Sequence, residues 1–312
     1  PGSGKIKNIE YVRMRIMQKI KISLSDNQEN IEHRKYKRRD IINLDRKQVL
    51  SSILEANIFP IFRKRPFNII PDPAISPRDI FVSAVDTSPL GVDLDMVMVD
   101  EVENFQAGMD VLNILTDGKV YLTTKPGSVL SSIQNVELNT ISGPHPAGNI
   151  GIQIHHISHL KPGDSIWTVN SQDVLTLGKL FLGGFYDPSK VITLGGPCVS
   201  DPGHFRITQG ATMASIIGDR LNKDDSRIIS GDVLTGRHSF LEDYISYYDC
   251  TISIISNEIK REFIGMLNPG SSSSRYSLTP VFLSFSKMLF PFNTSQNGNH
   301  RAIVPINTWE SV

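Results

Sequence analysis

"EVENFQAGMDVLNILTDGKVYLTT", residues 101–124, decides how the middle of this chain is read. Phe105, Met109, Leu112 and Leu115 recur at intervals of three and four, the spacing of one helical face. Asp117 and Gly118 stop that helix, and "KVYLTT" then reads as a strand. The same alternation continues on both sides. Upstream lies the short apolar strand "DIFVSAVD" (79–86); downstream come the strand "DSIWTVN" (164–170) and the helix "SQDVLTLGKLFLGG" (171–184). Strands separated by helices of this length need crossover connections, so a mainly parallel sheet is expected. An earlier helix is expected in "LDRKQVLSSILEANIF" (44–59), with Val49, Leu50, Ile53, Leu54 and Ile58 on one face and Asp45 as N-cap.

Further out the pattern changes. Residues 5–24 alternate apolar side chains (Ile6, Ile9, Val12, Met14, Ile16, Ile20, Ile22) with polar or basic ones, which predicts a strand pair. "SLSDNQENIEHRKYKRRD" (23–40) has no core face and reads as a solvated linker. Beyond residue 189, "KVITLGGPCVSDPGHFRITQGATMASIIGDRL", "RIISGDVLTG" and "CTISIIS" predict strands around one short helix, a small α+β unit. The stretch 257–312, rich in Ser, Pro and Asn, reads as an irregular return segment.

Composition mostly excludes. With 39% hydrophobic and 21% charged residues, the chain has the profile of a soluble globular protein. Its formal net charge is zero, which gives no global electrostatic case for nucleic acid or acidic lipid. Lys and Arg nevertheless concentrate in the first 40 residues, as a solvated strip or as a contact for a membrane-facing partner. Cys198 and Cys250 are the only cysteines and form no CxxC, which excludes a four-cysteine zinc site or an iron–sulfur cluster held by this chain. Two cysteines make no disulfide framework, so a cytosolic or cytosol-facing protein is expected. The most apolar run, "LTPVFLSFSKMLFPF" (278–292), is interrupted by Ser, Lys and Pro and does not predict a membrane span. No signal peptide is read, and the opening "PGS" suggests a cloning remnant and hence a fragment.

Two stretches carry candidate chemistry. "GPHPAGNIGIQIHHISH" (143–159) combines glycines with four histidines. As a phosphate loop it fails: its early glycines fall at 143, 148 and 151 instead of G-x-G-x-x-G, and Pro144 and Pro146 remove two amide donors. As a metal site it would use His155 and His159 at i and i+4, but position 156 holds His where a hydrolytic zinc motif needs Glu. Ile150, Ile154 and Ile157 instead predict the core stripe of a helix with histidines on its flanks. No G-x-S-x-G or P-loop occurs, so no catalytic and no metal residue is assigned.

The second stretch is "PIFRKRPFNIIPDP" (60–73), which sets Phe62, Arg63, Arg65 and Phe67 around Pro66. Pro66 biases Arg65 toward an extended backbone. Arginines with aromatic rings can hold a flat ring with polar edges, or a carboxylate or phosphate. The alternative is a buried turn whose phenylalanines join the core while the arginines cap a helix C-terminus.

Several stretches together resemble one family. "RKRPFNIIPDP", "IFVSAVDTSPLG", "GPHPAGNIG", "VNSQDVLTLGKLFLGG", "RIISGDVLTG" and "NGNHRAIVPINTWESV" are similar to the A subunits of bacterial sodium-translocating NADH:quinone reductases, in order and over nearly the whole chain. The resemblance implies a Rossmann-like α/β domain (45–189) and a soluble-ligand-binding β-grasp domain (190–256). Before them it implies a remnant of a barrel-sandwich, biotinyl-lipoyl-like domain (1–25) and a linker (26–44). The segment 257–312 would lead to a helical domain absent here. It further implies a peripheral place on the cytoplasmic face of the inner membrane, docked chiefly on the membrane-embedded B subunit. Such a component holds no cofactor and is not catalytic in isolation; NADH, flavins and iron–sulfur centres are used elsewhere in the complex. Ubiquinone is the expected ligand, with Phe62, Arg63, Arg65, Pro66 and Phe67 as its candidate contact. The competing expectation is an independent small-ligand binder using the β-grasp unit around "GGPCVSDPGH" and "SGDVLTG"; a metalloenzyme is a third.

Overall fold

The computed structural model describes residues 3–12, 15–222 and 225–257; Met14 and the expected return segment from 258 onward, with the runs 278–292 and 297–312, lie outside them. The chain divides into two units, Pro1–Ser88 with Asp93–Val191 and Pro89–Val92 with Ile192–Val312.

The first unit opens with the antiparallel hairpin β1 (Gly4–Val12) and β2 (Ile16–Leu24), in which Ile6 faces Ile22 and Ile9 faces Ile20. The alternation that predicts a strand pair is met, and Ile6, Tyr11, Ile16 and Met17 remain exposed. A short helix α1 (Arg38–Ile41) precedes α2 (Arg46–Glu55). Asp45 caps α2 in a reciprocal box: its carboxylate accepts the Gln48 N–H at 2.7 Å, and the Gln48 side chain accepts the Asp45 N–H at 3.1 Å. The helix ends four residues before the expected run does. Val49 and Ile53 form its buried stripe, whereas Leu54, a further 100° round the helix, is exposed.

β3 (Arg63–Arg65), β4 (Ile80–Ser83), α3 (Leu94–Met98), α4 (Val102–Leu115) and β5 (Val120–Thr124) follow. Then come β6 (Glu137–Thr140), α5 (Ile150–Ser158), β7 (Ile166–Asn170) and α6 (Ser171–Gly183). They build a five-stranded sheet in the order β3-β7-β4-β5-β6. β4 runs parallel to β5 and β7, β5 parallel to β6, and only β3 is antiparallel, to β7. The chain moves one way across the sheet from β4 to β6 and then returns past β4 to β7, so right-handed crossovers place α4 and α5 on opposite faces.

Phe105, Met109, Leu112 and Leu115 of α4 are all buried, as their spacing predicts. α4 and α6 meet at backbone distance: a Cβ at Gly108 would overlap the Val174 carbonyl oxygen, and one at Gly178 the Asn104 carbonyl oxygen. Two helices approach this closely only where a side chain is missing. On the other face α5 packs Ile154 on Phe81 and Ile166, and Phe81 stacks on Tyr121 with ring centroids 4.5 Å apart.

The second unit holds β8 (Ser189–Gly195), β9 (Gly203–Thr208), α7 (Met213–Ile217), β10 (Ser226–Ser230), β11 (Arg237–Ser239) and β12 (Thr251–Ser256). Its sheet has the order β11-β10-β12-β8-β9, with β12 parallel to β8 and β10 antiparallel to both β11 and β12. Ile192, Leu194, Met213, Ile217, Ile252 and Ile254 form its core.

Candidate binding site at the edge strand β3

β3 is three residues long, and its pairing fixes what each side chain can do. Arg63 lies opposite Thr168, Lys64 opposite Trp167 and Arg65 opposite Ile166. Paired residues share a face and successive residues alternate, so Arg63 and Arg65 lie on the Ile166 face, under which α5 packs. Phe62, one step earlier, goes with Trp167 to the opposite face. It is 0% exposed, and its ring centroid sits 5.3 Å from Phe59 and 5.1 Å from Trp167, while Phe59 and Trp167 meet edge-on at 5.8 Å. Phe62 is a packing residue with no free surface to offer a ligand.

Phe67 is its opposite. At 74% exposed, it stands with Ile69 (52%) and Ile70 (47%) on a loop that folds back on β3. The loop closes through the Lys64 N–H, which donates to the Ile69 carbonyl at 2.7 Å, and through Arg63, whose guanidinium donates to the Asn68 side chain and carbonyl. The Arg65–Pro66 peptide bond within it is cis.

Arg65 is where the accounting fails to close. Its Nε–H is buried and has no hydrogen-bond partner, and the same holds for Ser165 Oγ and Trp167 Nε1 on the neighbouring β7 stretch. Burial, and after it the charge of Arg63, pushes the Arg65 guanidinium below its ordinary pKa. The predicted set therefore divides. Arg65 and Phe67 flank Pro66 at the edge, Arg63 is engaged by Asn68, and Phe62 lies behind the sheet. Ser165 and Trp167 are brought beside this strand only through pairing about a hundred residues away in sequence, and by alternation they lie on the Phe62 face.

The 143–159 stretch forms an interlock. Gly148 N–H donates to Thr87 Oγ1 at 2.8 Å, Thr87 Oγ1 lies 3.3 Å from His145 Nδ1, and Gln153 Nε2 donates to Ser83 Oγ at 2.8 Å and to the Gly148 carbonyl at 3.2 Å. A Cβ at Gly148 would sit 2.7 Å from the Thr87 nitrogen, so the close approach needs glycine. Gln153 Oε1 and Thr123 Oγ1 are buried without partners. His155 and His156 are exposed, and His159 falls at the C-cap, so the i, i+4 pair leaves the helix before it can converge. Among the described residues no group of three or more His, Cys, Asp or Glu could hold a metal ion. In the second unit, Asp232 accepts the Leu234 and Thr235 N–H groups at 2.6 and 3.0 Å, closing the "SGDVLTG" turn on itself.

Fold and site together define a two-unit α/β protein with a cationic edge strand and, among its described residues, no helix long and apolar enough to cross a membrane. Residues 44–186 match the NqrA second alpha/beta domain, and residues 191–239 match the NQRA C-terminal domain. The Na(+)-translocating NADH-quinone reductase A subunit of Pasteurella multocida is 35% identical over 316 residues, covering 100% of this chain and 70% of that protein. Its counterpart in Neisseria meningitidis is 36% identical over 317 residues with the same coverage. The chain belongs to the NqrA family, the A subunits of the Na(+)-translocating NADH-quinone reductases, and its partners are the other subunits of that respiratory complex. Among solved structures, the air-oxidized NAD+-reducing [NiFe]-hydrogenase gives a TM-score of 0.49 at 15% identity, covering 74% of this chain and 52% of that one.

Proposed function

We propose that the chain acts as a peripheral, cytoplasmic-side component of a sodium-translocating NADH:ubiquinone oxidoreductase, docked on the membrane-embedded B subunit while touching quinone at the β3 edge. In this reading the first unit is a Rossmann-like scaffold and the second a β-grasp unit, and neither carries a redox centre. The observation that carries the quinone contact is the unpartnered Nε–H of Arg65. A buried donor without an acceptor costs about 1–3 kcal/mol, more when charged. A quinone presents carbonyl acceptors and no donor, so one of its oxygens can take the hydrogen bond that Arg65 Nε–H leaves unmade. Phe67, Ile69 and Ile70 supply exposed apolar surface beside it for the ring or tail. A cation fixed at a quinone carbonyl also stabilises negative charge arriving on that oxygen.

The test is a calorimetric titration of a short-chain ubiquinone into the protein and into an Arg65→Ala, Phe67→Ala double variant. Saturable binding weakened roughly tenfold or more in the variant is expected, since a charged hydrogen bond contributes about 1.5–3 kcal/mol. Equal binding by both proteins would sink the β3 assignment. Absence of binding by the parent would leave the chain a scaffold whose complex binds quinone elsewhere.

A further inference from the structure

The segment between the β1–β2 hairpin and α2 has no part in the quinone reading, yet it is held in place. His33 N–H donates to the Gly184 carbonyl at 2.7 Å and Tyr36 N–H to the Phe181 carbonyl at 2.8 Å, both at the C-terminal end of α6. The Tyr36 ring stacks on Phe181 at 5.6 Å. Gly184, with φ +72, admits the Lys35 stem across it where any side chain would collide. A linker with no structural task would be solvated and loose; this one is pinned at His33 and again at Tyr36.

Pinning sets which side chains face outward. Arg34, Lys35, Lys37 and Arg39 are all exposed, while Arg38, also exposed, is paired with Asp110 at 3.3 Å. Two carboxylates share the strip, Glu32 and Asp40, the latter 3.7 Å from Arg39 in an exposed pair that contributes little. At its ends stand two isoleucines with little cover, Ile31 (78% exposed) and Ile42 (62%). Clustered cations between apolar side chains match an anionic lipid surface: the cations reach phosphates, and the apolar groups enter the headgroup–acyl boundary. Nucleic acid fits less well. Its single strands want open ring faces, and Tyr36 has one face on Phe181 and Arg34 poised 5.1 Å from its ring centre.

We infer that residues 31–42 form a docking strip for anionic phospholipid headgroups. This rests on the reading of the chain as a peripheral component at a membrane surface, and it is independent of the quinone contact. The test is sedimentation of the full-length protein with vesicles of phosphatidylglycerol in phosphatidylcholine, against pure phosphatidylcholine, over a salt series. Binding to the anionic vesicles alone, falling with salt, is expected. A combined Arg34→Gln, Lys35→Gln, Lys37→Gln, Arg39→Gln variant binds on the order of a thousandfold more weakly, at about 1 kcal/mol per charge removed, whereas a charge-keeping Lys/Arg exchange at the same positions binds as the parent does. Ile31→Ser with Ile42→Ser weakens binding several-fold at unchanged charge.

No binding at low salt, or equal binding by the Gln variant, overturns the strip. So does displacement from vesicles by single-stranded nucleic acid at lower concentration than free lipid. Assembly with the other reductase subunits is scored in parallel. A Gln variant that loses that assembly would place a protein against the strip, overturning the lipid assignment while leaving membership of the complex intact.

Discussion

The loop that closes β3 and the helix α5 belong to one sheet and differ in what they leave unfinished. At β3 the unmet groups include a charged donor, Arg65 Nε–H, next to exposed Phe67, Ile69 and Ile70. Around α5 the unmet groups are neutral, Gln153 Oε1 and Thr123 Oγ1, enclosed behind an interlock of Thr87, Gly148 and Ser83. A single internal water satisfies a neutral acceptor or hydroxyl. A buried N–H of a charged group calls for an acceptor of its own. The histidines and glycines lie in the second region, but the charged donor without a partner lies in the first.

The largest expected effect separates the two phenylalanines of the β3 stretch. Phe62→Ala empties a site among Phe59 and Trp167 and is expected to cost about 3–5 kcal/mol in urea denaturation. Phe67→Ala, on the exposed loop, is expected to stay within about 0.5 kcal/mol. Equal losses would erase the division between core and surface at this edge. Next comes Gly148→Ala, which forces a methyl against Thr87 and is expected to cost about 1–3 kcal/mol. A value near zero would mean that the interlock at α5 is loose. Thr123→Val removes a buried hydroxyl that has no partner, so its thermal midpoint is expected to hold or rise slightly. A marked fall would show that the hydroxyl has found a bond. Smallest is His155→Ala with His159→Ala, within about 0.5 kcal/mol and with no change in metal content by elemental analysis.

Much of the first unit could be read from local pattern, because its helices repeat. α4 shows its buried face in Phe105, Met109, Leu112 and Leu115, and Asp45 announces α2 as an N-cap three residues before Gln48. β3 and β6, with three and four residues, are too short for any period to emerge. The division of Phe62 from Arg63 and Arg65 was equally hidden. Alternation along a strand has meaning only once its partner is known, and β7 lies far along the chain. Arg65 could be nominated from its neighbours, whereas the burial of its Nε and the want of an acceptor there exist only in the folded chain. The basic strip showed its charge but not its anchors, since the carbonyls of Phe181 and Gly184 are contributed from the end of another helix.

The glycine seam between α4 and α6 has a consequence for how this lineage can vary. Most tight contacts in a protein set one side chain against another, so a gain in bulk on one side can be absorbed by a loss on the other. Gly108 and Gly178 face carbonyl oxygens of the opposing main chain, which every residue type carries alike. No second change at Asn104 or Val174 makes room, because what obstructs is common to all twenty amino acids. The two positions are thus closed to compensated drift, and descendants of this sequence can escape glycine there only by moving a whole helix.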